Sequence, residues 1–400
     1  MSIRARMWAV LLLVGVLAQQ AAAIPAFARR YKISCSTCHA PFPKLKDYGD
    51  EYAAAGFILQ EDEKDRDYII AGDPILRLNK EFPIAVRFDA FGLLEPDADI
   101  TSDLQTPYGL KLLSGGALYK NIGYYFYFYM SEKGEVAGIE DAYIHFDNLF
   151  GSNLDLMVGQ FQVCDPLMKR ELRLTYEDYQ IFRARVGRSF TNLTYDRGVM
   201  LTYGIDKTGT DLAAMIVNGN GKPAADEKFD RDSDKNIGLR VAQTLLPELQ
   251  IGGFYYSGRE AYHYENGSSI NKITYYGPDL HLAFGPVELT AQYLIREDTK
   301  PFFFSLIPKT KTTGIVGELI FSPQLDRSRW YFTALYNRID SDIDDYSGFL
   351  KDFNLSPLGC HTATVSATYL LSRNLRLVGE YTRDLKNDGN RFVIGMVTAY

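Results

Sequence analysis

The stretch Asn390-Arg391-Phe392-Val393-Ile394-Gly395-Met396-Val397-Thr398-Ala399-Tyr400 decides the fold. Successive side chains of an extended strand alternate in direction, so Phe392, Ile394, Met396 and Tyr400 share one face and Val393, Gly395, Val397 and Ala399 the other. An aromatic last residue on the lipid-facing parity suits assembly in a bacterial outer membrane. Ile139 to Asp147 repeats the pattern, with Ala142, Ile144 and Phe146 opposed to Asp141, Tyr143, His145 and Asp147. The second set is expected to face a lumen.

Working outward, the same alternation recurs from about Pro83 in stretches of about ten residues broken by turn residues. It predicts strands near 84-94, 108-119, 122-131, 138-147, 153-163, 197-205, 210-218, 235-246, 248-258, 273-284, 286-297, 313-321, 328-340, 360-371, 374-385 and 389-400. Sixteen is even, as a bacterial single-chain barrel requires. Connections 95-107, 164-196, 219-234, 259-272, 298-312 and 341-359 are long, while those near Lys120, Lys207, Pro247, Gly285 and Ser372 are tight. A soluble sandwich or propeller has no reason to sort its loops by end. A barrel with short periplasmic turns and long extracellular loops does. The fold class is all-β: a sixteen-stranded antiparallel transmembrane β-barrel over 83-400, surrounded by outer-membrane lipid.

Arg4 and Arg6, an apolar run from Trp8 to Ala18, and Ala21-Ala22-Ala23 predict a secretory signal peptide over 1-23. The run is shorter than the roughly 20 residues that span a bilayer. The leader carries two arginines and no acid, so its removal takes the formal charge from −7 to −9. That balance excludes nucleic acid as a natural partner. Four cysteines are too few for a disulfide scaffold in an exported chain of this length, and two of them lie in one pentapeptide.

That pentapeptide is Cys35-Ser36-Thr37-Cys38-His39. Two thiols separated by two residues reach the two vinyl groups of one haem, and the histidine after the second lies under the iron as proximal ligand. A redox or zinc pair could share the spacing, but the motif follows a signal peptide, and c-type attachment occurs outside the cytoplasm. One covalent haem c is expected on Cys35, Cys38 and His39. The surrounding segment, 24-60, has about 37 residues, fewer than the roughly 40 at which an unsupported core becomes implausible. It cannot enclose a haem alone. A linker over 61-82 then leads into the barrel, whose lumen is the candidate wall.

Pro25-x-Phe27-Ala28-Arg29, Cys35-x-x-Cys38-His39, Pro43-x-Leu45, Tyr48-Gly49 and Gly56-Phe57 resemble the N-terminal signature of fused outer-membrane monohaem cytochrome-porins. These occur in bacteria that oxidise ferrous iron or exchange electrons with extracellular minerals. The resemblance implies that the haem segment plugs or lines the barrel and passes electrons between an extracellular donor or acceptor and a periplasmic cytochrome, with ferrous iron:cytochrome c oxidoreductase as the enzymatic form. The sequence departs from the iron-oxidising pattern at Arg30-Tyr31-Lys32 and Lys46-Asp47, where polar uncharged residues, glycine or proline are usual.

The haem segment contains no second histidine and no methionine. Strand parity puts His145, Met157 and His281 on the lumen face of the periplasmic half, and these are the candidate sixth iron ligands, His145 first. Each has an ordinary lumen residue as its alternative reading. Cys164 and Cys360 fall at expected outer strand ends, where a disulfide is favoured over two thiols. Loop 164-196, with Lys169, Arg170, Arg173, Arg183, Arg185 and Arg188, either folds inward with its arginines facing lumen carboxylates or lies outside; the inward fold is favoured. Asp230 to Asp234 and Asp340 to Asp345 read as solvated outer loops, or as carboxylates that gather divalent cations at the mouth. Lys235 and Val241 stand where a calcium loop needs glycine and glutamate.

Two functions follow from different classes. In one, electrons cross through the single haem; in the other, the barrel is a solute-conducting porin and the haem segment a plug or sensor. The first is favoured, because a covalent haem is a costly feature for a passive pore.

Overall fold

The structure, a computed structural model, describes residues 26–59, 68–69, 72–73, 75–76, 78–79, 83–164, 166–222, 228–265, 267–303, 307 and 309–400. The expected leader, 1-23, lies outside the described residues. Of the linker 61-82, the described part includes a two-residue antiparallel ladder pairing Tyr68 with Asn79 and Ile69 with Leu78.

Sixteen antiparallel strands close into one barrel. In chain order they are β1 Ile84–Leu94, β2 Ser102–Tyr119, β3 Ile122–Glu132, β4 Gly138–Phe146, β5 Leu154–Gln162, β6 Tyr195–Ile205, β7 Thr210–Val217 and β8 Asn236–Leu246. The circuit continues through β9 Leu249–Tyr264, β10 Gly267–Phe284, β11 Val287–Asp298, β12 Thr310–Phe321, β13 Trp330–Ser341, β14 Cys360–Ser372, β15 Leu375–Asp384 and β16 Gly389–Ala399. β16 pairs with β1, and Tyr400 and Val86 exchange backbone hydrogen bonds of 2.6 and 2.8 Å, so no edge is left open. Every expected strand is present. The outer ends run longer than the alternation suggested: the stretch 259-272, expected to be a loop, is an extension of β9 and β10 paired from Arg259–Lys272 to Tyr264–Gly267. Continued pairing satisfies backbone groups that an irregular loop would leave to water.

The two faces separate as the sequence suggested. Val393, Val397 and Ala399 are buried while Phe392 and Ile394 are exposed, Ile394 at 77%. On β8, Ile237, Leu239 and Val241 point outward between buried Asn236, Gly238, Arg240 and Ala242. Polar residues can occupy the inner face because they pair across it: Arg240 donates to both carboxylate oxygens of Asp279 at 2.8 and 3.1 Å. Exposed Tyr119, Phe284, Phe321, Trp330, Phe332 and Tyr400 collect at the end with the tight turns, as an interfacial girdle does. The chain is thus a closed barrel with an apolar outer face and an aromatic girdle, as an outer-membrane barrel requires.

The lumen is filled from two directions. The segment 26–59 enters the tight-turn end with three short helices, α1 Ala26–Tyr31, α2 Cys35–Cys38 and α3 Asp47–Ala54. From the other end the connection between β5 and β6 folds inward, as favoured from sequence, and carries a one-turn helix, α4 Gln180–Arg183. Its Ile181, Phe182 and Leu193 join Phe161, Met215, Tyr275, Leu294, Val316 and Leu335 in one apolar cluster. Those six come from β5, β7, β10, β11, β12 and β13, so the cluster bridges the walls of the barrel.

Candidate functional site

The N-terminal segment is held together by rings and held in place by the walls. Phe27 stacks on Phe57 with centroids 5.2 Å apart, Tyr52 meets both edge-on, and Phe57 stacks at 4.7 Å on Tyr125 of β3. Across the lumen, Lys44 pairs with Glu288 of β11 at 2.7 Å and Lys46 with Asp326 beyond β12 at 2.8 Å. Lys46, a departure from the iron-oxidising pattern, is therefore an anchor to the far wall. The glycines of the motif have steric reasons: a Cβ on Gly49 would collide with the carbonyl oxygen of Cys38, so this contact brings α3 tight against α2.

Cys35 to Cys38 forms a single helical turn capped by Ser34, whose hydroxyl accepts from the Ser36 N–H at 3.3 Å. The chain then doubles back, with Lys46 N–H donating to the Cys38 carbonyl at 2.9 Å and Ala40 N–H to the Lys44 carbonyl at 3.0 Å. This return places the Pro43 and Lys44 carbonyls 3.1 and 3.3 Å from Nδ1 of His39. Only a protonated Nδ1 can donate to a carbonyl, so Nε2 is the nitrogen with a lone pair for a metal. Burial pushes the His39 imidazole down to about 4, against the opposing pull of those carbonyls, so the ring is neutral at physiological pH.

These three residues open on a cavity of about 190 Å³. Phe27, Phe42, Leu45 and Phe57 of the segment form one side of it; Ala85, Leu113, Gly115 and Tyr127 of β1 to β3 form the barrel side; Glu171 and Leu172 of the inward loop close the top. The lining is mainly apolar but includes Arg87 and Lys111, and Asn374 and Ala399 place it in the tight-turn half. The donor set and the apolar lining fit a haem. Burial pushes the Cys35 and Cys38 thiols up, opposite to an activated redox pair. Among the described residues, Cys35, Cys38 and His39 also do not converge as zinc ligands must, since the one three-ligand cluster lies elsewhere.

The candidate sixth ligands fall outside this pocket. His145, Met157 and His281 line a second, more polar cavity of about 930 Å³ between the segment and the β11–β12 wall. Among the residues lining the first pocket there is no histidine besides His39 and no methionine. Strand parity correctly put all three in the lumen; parity carries no information on which side of the inserted segment each one lies. His281 accepts or donates at 3.0 Å with Thr290, and His361 at 2.9 Å with Tyr336 at the outer rim.

Other expectations change with the geometry. Cys164 and Cys360 are thiols packed in and against the large apolar cluster, not a disulfide. Within the acidic outer runs, Asp344 accepts from the Leu358 and Gly359 N–H of its own loop at 2.7 and 2.9 Å, and Asp232 from the Ala261 N–H of β9 at 2.8 Å. The inward loop reverses the expected charge pattern in part. Its Arg170, Arg173 and Arg183 converge on its own Asp178, while its Glu171 and Glu177 pair with Lys111 and Arg391 of the wall. Wall residues that sequence reading did not single out fix the loop backbone. Glu380 accepts from the Tyr176 and Glu177 N–H at 2.7 and 2.9 Å, and Glu260 from the Phe190 N–H at 2.9 Å. Their signal was a carboxylate on lumen parity.

No family model and no curated protein matches the chain. Solved structures do. OmpT of Vibrio cholerae, as a loop L8 deletion mutant, is similar with a TM-score of 0.55 at 11% identity, covering 80% of this chain and 99% of that one. The anion-selective porin from Comamonas acidovorans gives 0.55 at 12% identity over 80% and 99%. The outer membrane channel DcaP of Acinetobacter baumannii gives 0.53 at 12% identity over 80% and 97%. At such identities the likeness is one of fold.

Proposed function

We propose that this porin-like barrel carries one haem c, which Cys35 and Cys38 would tether and His39 would ligate, and conducts electrons between an extracellular donor or acceptor and a periplasmic carrier. The observation that carries the reading is the Cys35–His39 turn, its imidazole oriented by two backbone carbonyls, opening on an apolar cavity whose remaining walls are the barrel and the inward loop. Metal-bound histidines usually have the second ring nitrogen tied to such a partner. A haem seated there would supply a one-electron iron couple, with its potential set by burial and by the residues that hold it.

The protein's own groups do the rest. Phe42, Leu113 and Leu172 present apolar surface to the pocket, and Glu171 pairs with Lys111 in its lining. Asp47, Asp50 and Glu51 are exposed where the segment lines the second cavity, and their negative charge suits contact with a positively charged carrier.

The second reading, a solute-conducting porin with the segment as plug or sensor, is favoured by the likeness to porins. It is weakened by the apolar cluster that bridges the lumen. Two measurements on purified protein separate the readings. A c-type reduced-minus-oxidised spectrum, reducible by ferrous salts, with low conductance in planar bilayers supports electron transfer. Full porin conductance without a haem spectrum would replace it with solute transport.

A further inference from the structure

Outside the pocket, β4, the turn after it and β5 bring a second set of ligand-type side chains together. His145 and Asp147 are two residues apart and so share the lumen face; Asp155 comes from the neighbouring strand, two residues before Met157, whose Cα pairs with that of His145. The register thus stacks one imidazole and two carboxylates on one patch of wall. Their ligand atoms all lie within 4.8 Å of one another. A cation with bonds of about 2.0–2.2 Å holds its ligands roughly 3 Å apart, a contraction within reach of side-chain rotation.

A second observation points to a ligand. His145 is only 3% exposed, and neither ring nitrogen has a hydrogen-bond partner. An imidazole buried in this way leaves a donor and an acceptor unsatisfied, which native structures avoid. The two carboxylates are meanwhile positioned from behind. The Asn148 N–H donates to Asp155 Oδ1 at 2.8 Å and the Asn148 side-chain amide to Asp147 Oδ2 at 2.9 Å. The second cavity, which His145 lines, gives an entry path from the tight-turn end.

We infer that His145, Asp147 and Asp155 form a site for a divalent first-row transition cation, distinct from the pocket beside His39. One imidazole with two carboxylates selects zinc, ferrous or manganous ions over magnesium, which keeps its water and takes oxygen ligands. The site does not depend on the presence of haem.

The test is a calorimetric titration of the purified, folded full chain with Zn²⁺ at pH 7.5, repeated on His145→Ala and Asp155→Asn after heat-modifiable migration has shown that they fold. A saturable site in the wild type, weakened roughly tenfold or more in each variant and not competed by equal Mg²⁺, is the expected result. Asp147→Asn replaces whichever variant fails to assemble. Unchanged Zn²⁺ binding in a folded variant, or effective competition by Mg²⁺, would overturn the assignment. So would a change of haem spin state in His145→Ala, since that would give the imidazole to the haem iron.

Discussion

The imidazole of His145 lies against Gly56, so close that a Cβ at position 56 would come within 2.7 Å of its Cδ2. The glycine also has a φ of +63°. One residue therefore ends the inserted segment in a left-handed turn and lets it seat against β4, and the Gly56 carbonyl lies where a Cβ on Gly123 of β3 would have to go. The motif's Gly56-Phe57 pair is a docking device: the glycine permits contact and Phe57 stacks on Tyr125.

Gly56→Val should therefore loosen the segment without disturbing the barrel. A β-branched residue in the left-handed region costs about 1–3 kcal/mol before any clash with His145 is counted. Limited proteolysis of the folded variant should cut within 26–59 faster than in the wild type, with heat-modifiable migration unchanged. Equal proteolysis would mean that the contact does not hold the segment.

Haem attachment makes a sharper prediction. Cys35→Ala with Cys38→Ala should abolish haem staining on a denaturing gel, while His39→Ala keeps the stain and shifts the absorption spectrum, because thiols tether and the imidazole ligates. Undiminished staining of the double variant would remove the haem assignment.

The fold was legible because alternation in 390-400 and 139-147 is a direct image of a wall with lipid on one side. The Cys35–His39 motif was legible because two thiols two residues apart with a histidine after the second is the spacing that covalent haem attachment would require. What the sequence withheld was the third dimension of the lumen. Parity put His145, Met157 and His281 inside, yet the inserted segment divides the interior, and they fall in the cavity away from Cys35 and Cys38. Likewise Asp155 carries no signal by itself; it becomes a neighbour of His145 only through the register of β4 with β5.

The inward loop has a pH signature. Burial pushes the Asp178 carboxyl up, but Arg173, Arg170 and Arg183 outweigh it and hold the group well below the usual carboxylate range. A depressed folded pKa contributes stability that is full above the unfolded value of about 3.9 and is lost as pH falls toward the folded one. The difference in thermal stability between wild type and Asp178→Asn should stay constant from pH 8 to 5 and shrink below about pH 4. A difference that already declines between pH 7 and 5 would contradict this account of the loop's anchor.

The last prediction concerns what closes the barrel to solutes. Arg296 of β11 is 1% exposed and spends its donors on both sides of the lumen surface. On the wall it donates to Asp298 at 2.7 and 2.9 Å and to the Tyr275 hydroxyl at 2.6 Å; on the loop it reaches the Ala184 and Thr191 carbonyls at 3.2 and 2.9 Å and the Ser189 hydroxyl at 3.0 Å. Removing the guanidinium alone would leave a buried carboxylate unpaired, at a cost of about 3–5 kcal/mol that could prevent assembly. The double variant Arg296→Met with Asp298→Asn removes both charges and keeps the volume. It should fold, yet release the loop over 184-191 and open the apolar cluster to water. Planar-bilayer conductance should then rise from a low wild-type level. If the folded double variant stays as closed as the wild type, the seal is the inserted segment and not the loop.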